Sequence, residues 1–423
     1  MEFIVHPSRL NGSVNIPGSK SHTIRALVFG LLGDGESVIE HPLDSSDTRS
    51  CMDMIRKFGA RVEPAAAAWK VTGTAGVPSV PDDVIDTGNS GTSLYIGLGI
   101  AALVNGWSVF TGDHQIRARP ADGLLASINQ LGGTAFSTRG NGMPPIVVKG
   151  KISGGETKIE AVTSQYLTSL LMAAPLASGD TVIRVPLLNE KPYVAMTLSW
   201  LDRLNIRYDN RDYEHFRVPG GQRYPSFRES IPADFSSAAF FLVAAAVTGS
   251  KLTLTGLDFT DTQGDKEVVN ILKAMGAEIS IGQREISIQG KPLKAGTFDL
   301  NAIPDSLPAL SVAACFADGE TRLVNVPQAR LKETDRIRVM HEELAKMGAN
   351  IREKPDGLVI RRSSLAGCRV SGRHDHRVAM ALAVAGLAAS GETIVETAES
   401  VSVTFPDFPV LLESANANIT CTE

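Results

Sequence analysis

The 423-residue chain is poor in cysteine, in aromatic residues and in net positive charge, and it has no long apolar run. Its four cysteines, Cys51, Cys315, Cys368 and Cys421, show neither paired nor metal-ligand spacing. That pattern argues against a disulfide scaffold or a zinc site and points to a reducing cytoplasm. Cys51 and Cys315 fall within helical patterns and read as core residues. The formal net charge is −5, so there is no global basic field for nucleic acid. An anionic ligand would need a local cationic pocket. No apolar stretch reaches the roughly 18 residues of a membrane span. Met1-Glu-Phe-Ile-Val-His6 reads as a short strand without the basic and apolar regions of a signal peptide. What is left is the composition of an ordinary enzyme, long enough for two or three domains with a large core.

What the chain does have is a repeat. Six times a small-residue apolar stretch runs into a glycine, and a β-rich segment follows. The glycines Gly35, Gly106, Gly179, Gly249, Gly319 and Gly391 are spaced by 71, 73, 70, 70 and 72 residues. A period of about 70 residues over the whole chain means one supersecondary unit copied six times. The apolar stretches cover 21–32, 91–104, 165–177, 236–247, 307–317 and 377–389. Small residues on all sides allow a helix to be buried among close neighbours. Each following glycine fits a helix C-cap, where φ is often positive. The next segments, such as Lys251-Leu-Thr-Leu-Thr255, alternate polar and apolar as half-buried strands do. Most units then carry an amphipathic helix, predicted at 48–58, 121–131, 193–204, 266–275 and 336–347, and another strand.

The buried helices begin with functional groups. Pro17-Gly-Ser-Lys-Ser-His-Thr-Ile-Arg25 puts Lys20, Ser21 and Arg25 at a helix start, where backbone N–H groups and the dipole already favour an anion. A capped helix with two solvated cations is the plainer reading. Gly88-Asn-Ser-Gly-Thr92 lets backbone amides approach a ligand closely, or is an ordinary turn with an N-cap. Thr163-Ser-Gln-Tyr166 offers neutral groups suited to hydroxyls. Asp234 and Asp305 could each be plain caps. His374-Asp-His-Arg377 opens the last helix. Lys332-Glu-Thr-Asp-Arg336 opens an amphipathic one, where an exposed Glu333–Arg336 pair would be worth only a few tenths of a kcal/mol. Yet helix starts in different repeats carry Lys20, Arg25, Arg336 and Arg377. Repeats placed symmetrically would aim these ends at a common centre, which suggests a polyanionic ligand.

These motifs resemble the 5-enolpyruvylshikimate-3-phosphate (EPSP) synthase family of enolpyruvyl transferases, from Pro17 to Asp407. The resemblance is carried by Pro17-Gly-Ser-Lys-Ser21, Gly88-Asn-Ser-Gly-Thr92, Arg119-Pro120, Ser164-Gln165, Lys332-Glu-Thr-Asp-Arg336, Asp375-His-Arg377 and Thr404-Phe-Pro-Asp407, in that order. It implies a two-domain inside-out α/β barrel of six repeats, three per domain, with residues 1–17 plus 231–423 in one domain and 18–230 in the other. The active site would lie in the cleft between them. The implied reaction is shikimate 3-phosphate plus phosphoenolpyruvate giving EPSP and phosphate through a tetrahedral ketal phosphate, with no metal or organic cofactor. Partners would be those two small molecules, with no nucleic acid and no membrane, and the chain would act as a monomer in the cytoplasm.

By motif position, the resemblance assigns Lys20, Ser21 and Arg25 to shikimate 3-phosphate, with Lys20 also reaching phosphoenolpyruvate. Thr163, Ser164 and Gln165 would bind the phosphate and ring hydroxyls, and Tyr193 would pack at the ring. Asp305 would be the base on the attacking hydroxyl, with Lys332 beside it. Glu333 would exchange the proton at the methylene carbon. Gly91, Arg119, Arg336 and Arg377 would hold phosphoenolpyruvate, and His376 would support the site.

Four positions depart from the family pattern. Val403 stands where a lysine usually precedes Thr-Phe-Pro-Asp, and Tyr95 replaces an arginine. Ile24 replaces a common asparagine, and Ser46 a second acidic residue. Arg117, Lys191 and Arg373 are the candidates to replace the two lost cations. The related UDP-N-acetylglucosamine enolpyruvyl transferases usually carry Lys-Asn and a reactive loop cysteine. This chain has Lys20-Ser21 and a 111–117 loop without cysteine. A specialised relative with altered phosphoenolpyruvate use, and a non-catalytic binding protein on the same scaffold, are the other readings. The Asp305, Lys332 and Glu333 set argues against the second.

Overall fold

A computed structural model of the chain describes residues 1–422. Its α-helices come in two alternating kinds. In chain order they are α1 (Lys20–Leu32), α2 (Ser46–Lys57), α3 (Gly91–Ala101), α4 (Asp122–Gln130), α5 (Ser164–Ala173), α6 (Lys191–Arg203), α7 (Phe235–Thr248), α8 (Glu267–Ala274), α9 (Leu307–Cys315), α10 (Arg336–Lys346), α11 (His376–Ala388) and α12 (Phe408–Ser414). The odd-numbered helices are the six small-residue stretches. Every residue of α3 and α9 is buried, and nearly every residue of α1, α7 and α11. Their Ala and Gly content makes this possible, because thin helices with no polar face can be surrounded. The even-numbered helices bury one stripe and leave the other wet. In α10, for example, Ile337, Met340 and Leu344 are inside and Arg338 is exposed.

The chain divides into two compact units. A central unit holds Gly18–Ile231, and a split unit joins Met1–Pro17 to Pro232–Glu423. Each has its own apolar core. In the split unit α7, α9 and α11 pack on one another, and in the central unit α3 packs on α1 and α5.

Each unit carries three four-stranded sheets, and all share one order. A strand before a buried helix lies parallel to the strand after it, the short-range crossover that α/β units favour. That second strand is antiparallel to one member of a hairpin, and the other member is the edge. Ile85–Asp86, Trp107–Thr111, Ile146–Lys149 and Thr134–Ser137 form one such sheet. Three sheets are completed by strands distant in sequence. Glu2–His6 lies between Thr393–Glu396 and Asn418–Thr422, with Phe3 opposite both Val395 and Cys421. Ser13–Asn15 runs parallel to Lys251–Thr255, and Arg228–Ser230 parallel to Glu36–Glu40. The segments that cross between units therefore close each unit's sheet pattern.

The repeat glycines correct one expectation. Only Gly249 serves as a left-handed helix C-cap, following α7 with φ 66°. Gly35, Gly319 and Gly391 also have positive φ, but they lie beyond the helix end, in the turn that enters the next strand. Gly106 and Gly179 are not in the left-handed region. The period marks the strand entry as much as the helix end. Cys51 and Cys315 are fully buried in α2 and α9, as their patterns predict. Among the described residues, no helix is long and apolar enough to cross a membrane.

Candidate active site

In the split unit the acidic and basic groups of three helix starts meet at Arg336. This residue opens α10 and is 1% exposed. Its Nε donates to Asp375 Oδ2 at 2.8 Å and its Nη1 to Asp305 Oδ1 at 2.7 Å. Its Nη2 reaches Glu333 Oε2, and Asp375 Oδ1 at 3.2 Å. Asp305 receives further cations: Arg377 Nη2 lies 3.2 Å from Oδ2 and Lys332 Nζ 3.7 Å from Oδ1. Arg377 also donates from Nη1 to Ser236 Oγ at 2.7 Å. Burial alone would raise the Asp305 pKa, but Arg377, Lys332 and Arg336 together hold it far below the ordinary carboxylate range. Burial works against the Arg336 charge too, and Asp375, Glu333 and Asp305 overcome it, so the guanidinium is held more firmly protonated than usual.

Two plain readings of this region fail. Asp305 is not a helix cap. It sits in a short 3₁₀ turn, Pro304–Ser306, ahead of α9, and its carboxylate faces the cations instead. The Glu333–Arg336 pair is present but is buried, with side chains 10% and 1% exposed. Asp375 is a true cap, of α11: its Oδ1 accepts from the N–H groups of Arg377 and Val378, and both its oxygens accept from Arg336. Thr334 Oγ1 donates to the same carboxylate at 3.0 Å. His376, the first residue of α11, is buried beside it.

In the central unit the cations are held differently. Lys20 opens α1 under a Ser19 cap and lies 3.0 Å from Asp47 Oδ2. Arg25 is 2% exposed, so the reading of two solvated cations does not hold. Its donors all go to neutral oxygens: Nε to Thr197 Oγ1 at 3.0 Å, Nη1 to the Ser21 carbonyl at 3.1 Å, and Nη2 to the Tyr193 carbonyl at 2.9 Å and Thr168 Oγ1 at 3.4 Å. Burial draws the Arg25 pKa down to about 10. Thr163 caps α5, Ser164 is its first residue, and Gln165 Oε1 is buried with no hydrogen-bond partner among the described residues. Tyr193 lies in the first turn of α6.

Gly91 is the first residue of α3, behind a Ser90 cap. The buried Arg119 lies against it: a Cβ on Gly91 would come 2.2 Å from Arg119 Nη1. A bare α-carbon is what lets the guanidinium lie across that helix start. Tyr95 has an evident role. Its hydroxyl donates to the Pro120 carbonyl at 2.9 Å, the Tyr166 hydroxyl to the same oxygen at 2.6 Å, and the two rings meet edge to face. A neutral aromatic pair thus anchors the residue next to Arg119. Val403 ends a short 3₁₀ segment, Ala398–Val403, and nothing in the structure explains its replacement of a lysine. The three candidate substitutes are engaged within their own units. Arg117 donates to the Gly112 carbonyl, Lys191 lies over the Tyr213 ring at 4.3 Å, and Arg373 pairs with Glu343 at 3.0 Å.

Sequence reasoning assigned no role to Asp375, Asp47 or Glu190. Asp375 stood inside a quoted motif and carried a signal, an acid just before a helix. Asp47 and Glu190 carried none, because their partners lie 27 and 26 residues away.

Sixfold repetition of one buried helix with one sheet, and buried arginines at the helix starts, define a class of two-unit α/β proteins. The chain matches the family model described as EPSP synthase (3-phosphoshikimate 1-carboxyvinyltransferase) over residues 4–412. It is 55% identical over 419 residues, 99% of each chain, to the 3-phosphoshikimate 1-carboxyvinyltransferase of Acetivibrio thermocellus. It is 54% identical, over 98% of each chain, to that of Ruminiclostridium cellulolyticum. A solved EPSP synthase structure from Acinetobacter baumannii matches with TM-score 0.84 and 28% identity, covering all of both chains. The chain belongs to the EPSP synthase family.

Proposed function

We propose that this chain is a 3-phosphoshikimate 1-carboxyvinyltransferase. It transfers the enolpyruvyl group of phosphoenolpyruvate to the 5-hydroxyl of shikimate 3-phosphate, giving EPSP and phosphate, a step of aromatic amino-acid biosynthesis. The reading includes a monomeric chain working in the cytoplasm. The observation that carries it is the cluster around Asp305, where a carboxylate, a lysine, two arginines and a second carboxylate, Glu333, lie together.

The reaction asks for this set. The 5-hydroxyl must lose a proton as it attacks C2 of the enol, and C3 must gain one. Asp305 takes the hydroxyl proton, with Lys332 beside it. Glu333, protonated once Arg336 is drawn off, delivers a proton to C3 to give the tetrahedral ketal phosphate. Phosphate then leaves C2 as Glu333 takes a proton back from C3, which forms EPSP. Phosphoenolpyruvate brings a phosphate and a carboxylate, which compete with Asp305 and Glu333 for Arg336 and Arg377. Each cation drawn off raises the proton affinity of the carboxylate it leaves. Phosphoenolpyruvate thereby frees the base and the acid it needs. His376 supports the start of α11. On the other substrate, Lys20, Ser21 and Arg25 meet the phosphate of shikimate 3-phosphate. Thr163, Ser164 and Gln165 meet its phosphate and hydroxyls, and Tyr193 packs at the ring. The unsatisfied Gln165 Oε1 supports this, because a buried acceptor gains most from a hydroxyl donor. Gly91 and Arg119 complete the phosphoenolpyruvate contacts. Exclusion of water around these groups strengthens every charge interaction among them.

The test is to mix shikimate 3-phosphate with phosphoenolpyruvate and follow phosphate release, identifying the product by mass. EPSP is expected. Binding of shikimate 3-phosphate without release would mean a binding protein instead. Glu333→Gln is expected to abolish turnover while both substrates still bind, and near-normal turnover would remove Glu333 from its role.

A further inference from the structure

The donors at the start of α5 are already occupied. Glu190 is 1% exposed and left-handed, with φ 57°, and it stands immediately before α6. Its Oε2 accepts from Ser164 Oγ at 2.7 Å, from the Ser164 N–H at 3.1 Å and from Thr163 Oγ1 at 3.2 Å. A carboxylate oxygen that takes two hydroxyls and a backbone N–H at a helix N-terminus makes the contacts a phosphate oxygen makes there. A non-glycine residue in the left-handed region is uncommon and persists where surrounding contacts hold it. In this case the contacts holding it include the donors assigned to substrate.

We propose that Glu190 is a built-in competitor for the phosphate subsite of shikimate 3-phosphate, and so a residue that sets affinity for that substrate. The inference rests on the assignment of Thr163 and Ser164 to that substrate. Ser164 and Thr163 cannot give the same protons to both acceptors. The substrate phosphate must displace the Glu190 carboxylate or bind beside it against like-charge repulsion, and each route weakens binding. The same penalty falls on inorganic phosphate, which brings no ring hydroxyls to offset it, so only ligands with further contacts still bind well.

Two variants test this by calorimetry, with shikimate 3-phosphate and inorganic phosphate as separate probes. Glu190→Gln keeps the shape and removes the charge. Glu190→Gly removes the side chain and relaxes the left-handed backbone. Both are expected to lower the dissociation constant for shikimate 3-phosphate by about tenfold, the worth of one charge-assisted hydrogen bond. Inorganic phosphate is expected to gain by a similar factor, because it displaces the same Glu190 contacts. In steady-state kinetics the Michaelis constant for shikimate 3-phosphate falls and that for phosphoenolpyruvate stays near its original value. If Glu190 merely anchors α5 to α6, Glu190→Gln leaves affinity unchanged or weakens it, and that result overturns the proposal even if Glu190→Gly fails to fold. Failure of the functional reading would look different. The unaltered protein would then make no EPSP, whatever Glu190 does.

Discussion

Arg25 and Arg336 are both buried arginines at helix starts, but they are held in opposite ways. Arg25 gives its protons to two threonine hydroxyls and two backbone carbonyls. Arg336 gives its protons to three carboxylates, those of Asp305, Glu333 and Asp375. Burial wins at the first site and draws the pKa down. The carboxylates win at the second and push it up. A buried charge without a counter-ion is costly, so the Arg25 site gains from any anion that arrives. The Arg336 site is already neutralised, and an arriving anion must displace a carboxylate to use it. On the proposed function, the Arg25 group receives charge and the Arg336 cluster holds acid and base that an anion releases.

The sharpest way to break this comparison is Arg336→Met. It removes the cation that Asp375, Glu333 and Asp305 share, leaving Asp305 with Arg377 and Lys332, and is expected to cost about 3 kcal/mol. Urea denaturation measures it, and a loss below about 1 kcal/mol would mean the carboxylates are solvated. Arg25→Met should cost less stability, because it strands no carboxylate. Its effect should fall on ligand binding, where losing the charge weakens shikimate 3-phosphate by about 100-fold, as calorimetry would show. A variant that binds normally would deny Arg25 its receptor role.

A smaller effect concerns acid. The Asp305 pKa is depressed relative to the unfolded chain, so its ion pairs contribute stability that is present in full above the ordinary carboxylate value. That contribution fades as pH falls below about 4, when the unfolded chain takes up protons that the folded carboxylate refuses. Asp305→Asn removes this linkage. Its stability should fall less steeply from pH 4 to pH 2 than that of the unaltered protein, by about 1–2 kcal/mol. Equal slopes would place the acid sensitivity elsewhere.

The same comparison shows what was legible in the sequence. The fold was, because helices made of Ala, Gly and Leu on all sides are buried wherever they occur, and six of them at one period leave little choice of architecture. The helix spans fell within a few residues of those observed. The residue types at the helix starts were legible too. Their partners were not. Arg336 meets Asp375 across 39 residues and Asp305 across 31, and local spacing carries no trace of such pairs. Asp305 looked like a cap because an acid before a helix usually is one. The 3₁₀ turn that carries it and the distant cations it meets leave no local signal. A solvated Arg25 stays open as an alternative in the sequence because nothing local tells that α5 and α6 cover it. The glycine period was read as helix capping when most of the positive φ values serve the turn into the strand.

The central claim is that the Arg25 and Arg336 groups differ in readiness for an anion. Calorimetry with each substrate alone tests it directly. Shikimate 3-phosphate alone should give a saturable isotherm even with Glu190 in place, because among the described residues Arg25 has no counter-ion to give up. Phosphoenolpyruvate alone should bind at least about 100-fold more weakly, because Arg336 and Arg377 must first leave Asp305 and Glu333. Equal affinity of the free protein for the two would contradict the account.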